Sequence, residues 1–95
     1  MTGAAAEPVL TLLGKPDCHL CHEMAAVVRR VLAETGGRLI ERDVREDPEL
    51  WKRYRLEIPV LLREGREVAR HRVTEAELRE RLREAWPSPL PVPPP

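Results

Sequence analysis

Val9-Leu10-Thr11-Leu12-Leu13 is apolar at four of its five positions. So short and continuous a run predicts a strand covered on both faces, hence central in its sheet. Gly14-Lys15-Pro16-Asp17 breaks it as a loop. From Leu20 the rhythm changes. Leu20, Met24, Val27, Val28, Val31 and Leu32 line one helix face, with Glu23, Arg29, Arg30 and Glu34 elsewhere. Gly36-Gly37 ends that helix. Arg38 to Val44 alternates loosely, and its charged residues Glu41, Arg42 and Asp43 predict an edge strand.

Asp47-Pro48 reads as a cap followed by the first helical position. A short helix follows through Leu50, Trp51 and Tyr54, the two aromatics serving its packing. Pro59-Val60-Leu61-Leu62 is a second apolar, central strand. Arg63-Glu64-Gly65-Arg66 is a tight turn with glycine where positive φ is needed. Val68 to Val73 reads as a charged edge strand. Thr74-Glu75-Ala76-Glu77 is a capping box. The helix after it presents Leu78, Leu82 and Ala85 or Trp86 on one face.

The order is strand, helix, strand, helix, strand, strand, helix. A helix between the first two strands requires a parallel, right-handed crossover. The tight turn makes the last two strands antiparallel. With the two apolar strands central, the spatial order is second, first, third, fourth. The expectation is an α/β fold: a four-stranded mixed sheet with three helices on both faces.

The chain has 95 residues, enough for one domain. Six of its ten prolines lie between Pro87 and Pro95. That segment has fixed φ and few amide donors, so it reads as a disordered or polyproline-like tail, dispensable for folding. Residues 1–7 read as a flexible N-terminus and 8–86 as the folded domain. Sixteen basic and sixteen acidic residues cancel, which gives no electrostatic case for nucleic acid or an anionic membrane. No apolar stretch approaches the ~20 residues that span a bilayer. Met1 to Ala6 lacks the pattern of a signal peptide. The expected compartment is the cytoplasm. The absence of Asn and Gln and the abundance of charge fit a thermophile or a GC-rich genome.

The two cysteines, Cys18 and Cys21, stand as Cys18-His19-Leu20-Cys21 where the first strand gives way to the first helix. In the cytosol such a pair is more often catalytic or metal-binding than structural. Cys18 lies at the helix mouth, where unpaired amide hydrogens and the helix dipole favour an anion. It is the expected nucleophile, with its pKa drawn below about 8.5. Cys21, one turn inside, is the expected resolving thiol. Lys15 and His19 are candidates to steady the thiolate; Asp17 opposes them. Two rival chemistries use the same residues. Cys18-His19-Leu20-Cys21-His22 formally matches a covalent haem signature, without an aromatic pocket to go with it. A zinc or iron–sulfur site, or an interaction module, would draw on Cys18, Cys21 and His22, but only His71 remains as a further histidine.

The element order, the Cys18–Cys21 motif opening the first helix, Asp43 after the second strand, Leu50 and Tyr54, and Ile58-Pro59-Val60-Leu61 together resemble the thioredoxin fold. Within it they are most similar to the small bacterial glutaredoxin-like proteins, over about residues 8–84. The resemblance implies a thiol–disulfide oxidoreductase with no bound cofactor, a monomer acting on disulfide-containing proteins or small-molecule thiols. Its reductant would be glutathione or another low-molecular-weight thiol. The resemblance also implies that Ile58-Pro59 is a cis peptide opposite the dithiol, with the Ile58 backbone free to pair with substrate. Two departures bear on function. His19-Leu20 replaces the Pro-Tyr usual between the cysteines. Arg70-His71-Arg72-Val73 occupies the stretch where glutaredoxins carry a Gly-Gly that lets glutathione approach the backbone. Glutathione dependence is accordingly expected to be weak, and Arg70, His71 and Arg72 read as a solvated edge.

Overall fold

The structure is a computed structural model and describes residues 7–83 of the chain. The expectations for residues 1–6, for Ala85 and Trp86 and for the 87–95 tail lie outside the described residues. The elements run β1 (Val9–Gly14), α1 (His19–Thr35), β2 (Arg38–Asp43), a 3-10 turn (Val44–Glu46), α2 (Pro48–Tyr54), β3 (Val60–Arg63), β4 (Arg66–Arg70) and α3 (Glu75–Arg83). They form one four-stranded sheet in the order β2-β1-β3-β4. β2 runs parallel to β1, β3 antiparallel to β1, and β4 antiparallel to β3.

The period-2 alternation of strand side chains sorts the core into two layers. Leu10 and Leu12 of β1 and Leu61 of β3 face one side. They pack with Met24, Val28 and Val31 of α1 and with Leu78 of α3. Leu13 and Val60 face the other side and pack with Val44, Leu50 and Tyr54. The register agrees, since Leu12 lies opposite Leu61 and Leu13 opposite Val60. β1 and β3 are thus central and covered on both faces, as their apolar runs require. β2 is an edge strand with most of its side chains exposed.

Asp47 caps α2, accepting from the Glu49 N–H at 2.9 Å, with Pro48 following it in the first turn. The Thr74–Glu77 box is closed in both directions at 3.0 Å. The β3–β4 hairpin turns on Glu64 and Gly65, both at positive φ (52° and 80°), the geometry a two-residue hairpin favours.

Three boundaries differ from expectation. β2 stops at Asp43, because its carboxylate accepts from the Arg45 N–H and starts the 3-10 turn one residue early. β4 covers Arg66–Arg70, not Val68 to Val73. His71 takes φ 66°, which turns the chain out of the strand and delivers Val73 to the core. Trp51 is 39% exposed, and α2 has no buried residue at all, so Trp51 does not pack as expected.

Surface charges clasp α1 to α3. Arg79 donates two hydrogen bonds to Glu34 at 2.8 Å and one to Glu75 at 3.2 Å, and Arg30 pairs with Glu75. The Arg79 hydrogen bonds hold Glu34 below its ordinary pKa, and Arg30 does the same for Glu75. A depressed folded pKa gives stability that is present above the unfolded value and lost as pH falls through the folded one. The thermal midpoint should therefore fall from about pH 4.5 downward. Arg79→Gln should shrink that fall and leave the midpoint at the acid limit unchanged. The pairs are exposed, so added salt should shrink it too.

Candidate active site at the Cys18–Cys21 dithiol

β1 ends at Gly14 and α1 begins at His19, so a four-residue loop delivers Cys18 to the helix N-cap. Cys18 is extended there (φ −107°, ψ 110°), and its Sγ accepts the Cys21 N–H at 3.1 Å. Its carbonyl accepts the His22 N–H at 3.2 Å, and its own N–H donates to the Lys15 carbonyl at 3.3 Å. A sulfur thus plays the part that Ser or Asp usually plays at a helix start. The first turn of α1 holds no carboxylate, so nothing within it offsets the field of the helix end. The two sulfurs are joined as a disulfide, with Cα atoms 5.2 Å apart. Cys18 is half-buried. Cys21 is only 4% exposed.

Gly14 is the partner that the sequence analysis missed. A Cβ built on it would lie 2.7 Å from the Cys21 sulfur and 3.0 Å from the Cys21 Cβ. The backbone at the end of β1 is therefore the floor on which the inner thiol rests. The available signal was a glycine closing an apolar strand four residues before a Cys-X-X-Cys pair.

The other candidate residues are not equally placed. Ile58-Pro59 is a cis peptide, and Pro59 is fully buried. Val60 lies opposite Leu13, so the register sets Pro59 beside Gly14, at the dithiol end of the sheet. The Pro59 carbonyl accepts the His71 N–H at 2.7 Å. The Ile58 N–H donates to the Tyr54 carbonyl at 3.1 Å, so the amide expected to be open to a substrate already has a partner. Lys15 stands 3.9 Å from Asp17 and contributes to lowering the Asp43 pKa; its charge is shared with carboxylates. His19 pairs with Glu23 at 2.8 Å on the exposed side of α1. Arg70 is not an open edge cation: it is held by Glu67 at 2.6 Å and by Glu57. Both carboxylates push its pKa up.

A cleft of about 350 Å³ opens beside the dithiol, lined by Lys15, Cys21, His22, Arg42, Asp43 and Glu46 among others. Hydrogen bonds from Arg45 hold the Asp43 carboxyl below the usual range, and with Lys15 and Arg42 in the same lining the cleft carries charges of both signs. Among the described residues, no three or more His, Cys, Asp or Glu side chains stand together as a metal site.

The topology is that of the thioredoxin-like fold, with a dithiol at the N-terminus of its first helix. The chain belongs to the glutaredoxin-like domain family (DUF836), whose model matches residues 9–83. It is similar to a structural-genomics target protein, XcR50, from X. campestris. The two share 30% identity over 80% of this chain and 97% of that one, with a TM-score of 0.70. A structure described as a malarial protein has a TM-score of 0.62 at 16% identity, over 84% and 98% of the two chains, and shares the fold.

The Gly14–Cys21 contact is testable by a double-mutant cycle. Gly14→Ala should cost about 1–3 kcal/mol, the usual penalty of overpacking, read by urea denaturation. In a Cys21→Ala background the same change should cost less, because the sulfur at 2.7 Å is gone and only the contact at 3.0 Å with the residue 21 Cβ remains.

Proposed function

We propose that the protein is a thiol–disulfide oxidoreductase in which Cys18 attacks and Cys21 resolves. The observation that carries this reading is the capping geometry. The Cys18 sulfur accepts an amide hydrogen at the start of a 17-residue helix, while Cys21 is shielded against Gly14. A hydrogen bond to the charged form favours that form, as does the helix end. Cys21, only 4% exposed, is shielded from a substrate disulfide and meets it only through Cys18.

The Cys18 thiolate attacks one sulfur of a substrate disulfide. That S–S bond breaks, and the other sulfur leaves as a thiolate that takes a proton from water. Cys21 then loses its proton to water and attacks the Cys18 sulfur. The mixed disulfide breaks and releases the second substrate thiolate. Two electrons have passed from the dithiol to the substrate, and the chain is left with the Cys18–Cys21 disulfide. Two electrons from a thiol reductant, glutathione or another small thiol, reset it. The substrates in this reading are protein or low-molecular-weight disulfides.

Glutathione itself is a poor fit. An unpaired helix N-terminus would offer amide hydrogens to a substrate carboxylate. Here the Thr74 N–H is taken by Glu77 and the Glu77 N–H by Thr74. Ordered bulk at Arg70-His71-Arg72 stands beside it, with Arg72 3.8 Å from Glu23.

Cys21→Ser should form stable mixed disulfides with a model disulfide. Cys18→Ser should not react with it. Alkylation of the Cys21→Ser chain should rise at a pH below the ordinary thiol value of about 8.5. Faster alkylation of Cys18→Ser than of Cys21→Ser at neutral pH would reverse the assignment.

Turnover with glutathione and glutathione reductase in a deglutathionylation assay should be low. Glu77→Ala, which frees the Thr74 amide, should raise it.

A further inference from the structure

The segment Trp51-Lys52-Arg53-Tyr54-Arg55-Leu56 interleaves exposed apolar and cationic side chains. Trp51 (39%) and Leu56 (75%) are two of the four exposed large hydrophobics among the described residues. Between them Lys52, Arg53 and Arg55 are exposed. Among the described residues no carboxylate pairs with any of the three; Arg53 stands over the Tyr54 ring at 5.6 Å. Elsewhere arginines are commonly neutralised, as in Arg79–Glu34 and Arg45–Asp43. The acidic neighbour Glu57 is itself engaged by Arg70. Cations in the last turn of α2 do complement its dipole, at about 0.3–1 kcal/mol each. That does not account for Leu56, which is past the helix and almost bare.

The segment is continuous with the dithiol. The Tyr54 carbonyl accepts the N–H of both Glu57 (2.7 Å) and Ile58 (3.1 Å), which draws the end of α2 onto the cis peptide. Pro59 lies beside Gly14, and Gly14 beneath Cys21. The basic, partly apolar segment is thus joined, through the cis peptide, to the strand end that seats Cys21.

We propose that residues 51–56 are the docking surface for protein substrates, and that they select disulfides flanked by acidic residues with an apolar side chain nearby. The inference rests on the oxidoreductase reading and adds to it the class of substrate. Unpaired cations supply attraction and orientation. Leu56 and Trp51 supply apolar area that a bound segment removes from water.

The test uses the full chain and two peptides, each with one internal disulfide. One carries Asp, Glu and Leu beside the disulfide; in the other Lys replaces the acids. At low salt the acidic peptide should be reduced with a kcat/KM about 10-fold higher, the lower range of electrostatic steering. Most of that preference should vanish at high salt. The triple variant Lys52→Glu, Arg53→Glu, Arg55→Glu should invert it. The milder Lys52→Gln, Arg53→Gln, Arg55→Gln should abolish it, which guards against a misfolded reversal. Reduction of bis(2-hydroxyethyl) disulfide, small and uncharged, should be unchanged throughout. Equal rates for the two peptides at low salt overturn the inference, as does a preference that survives in the glutamine variant.

A redox-silent acidic peptide, with both its cysteines replaced by serine, separates this from the chemistry. It should bind and shift the amide resonances of residues 51–56. Failure of that binding overturns the docking surface even if the dithiol is active. Failure on the hydroxyethyl disulfide, with binding intact, overturns the oxidoreductase reading instead. Binding to phosphatidylserine–phosphatidylcholine vesicles without discrimination between the peptides would replace the protein partner with a membrane.

Discussion

The contact between the Gly14 backbone and the Cys21 sulfur ties the sheet to the site. β1 is central, paired on one side with β2 and on the other with β3, so its end cannot shift without both neighbours. Gly14 lies opposite Asp43 on β2, and the register places Pro59 next to it on the β3 side. A sulfur resting on that point is located by three strands at once. α1 follows from the same constraint. Its first turn must stand close enough to seat Cys21, and its apolar face, through Met24, Val28 and Val31, then packs down on Leu10, Leu12 and Leu61.

The two layers of the core are unequal, and the inequality has functional weight. On the α1–α3 side, twelve buried residues form one cluster. On the α2 side only Leu13, Val44 and Val60 are buried in the cluster, with Leu50, Tyr54, Ile58 and Leu62 half-covered around them. The larger layer holds the dithiol helix rigidly to the sheet. The smaller one leaves α2 with no fully buried side chain, the kind of element that opens at low free-energy cost. Rigidity therefore lies under the Cys18–Cys21 pair, and the α2 face is the part with room to adapt.

What the sequence revealed divides by range. Features whose partners are close along the chain were legible: the Asp47-Pro48 helix start, the Thr74–Glu77 box and the Gly65 turn each need only a few adjacent residues. The central strands were legible as well, because continuous apolar runs at Val9–Leu13 and Pro59–Leu62 leave no polar face for solvent. The end of β4 was not, since a φ of 66° at His71 is unmarked by residue type in the way a glycine would mark it. The site itself was half legible. The dithiol, its helix mouth and the cis proline follow from motif and order. Gly14 beneath Cys21, Glu57 on Arg70, and Glu23 on His19 depend on which side chains meet. The first is a strand-to-helix contact and the second joins the loop after α2 to the end of β4, pairings that residue spacing does not encode. The last is an i,i+4 pair that competed with an equally plausible inward orientation.

Cys18 caps α1; in the proposed reaction it also carries electrons, and a thermodynamic cycle joins the two roles. The folded and unfolded chains each have a dithiol and a disulfide form. Around that cycle, the difference in folding free energy between the two forms must equal the difference in reduction free energy between the folded and unfolded chains. An amide hydrogen bond that steadies the Cys18 thiolate stabilises the reduced fold. The same bond is present in the disulfide form, so it is the excess of its strength to the thiolate that makes the folded disulfide a stronger oxidant than the same disulfide in a loose peptide. The oxidising power of the pair is thus set partly by how well the first turn of one helix is closed. Any change that tightens or frays that turn retunes the chemistry without touching either sulfur.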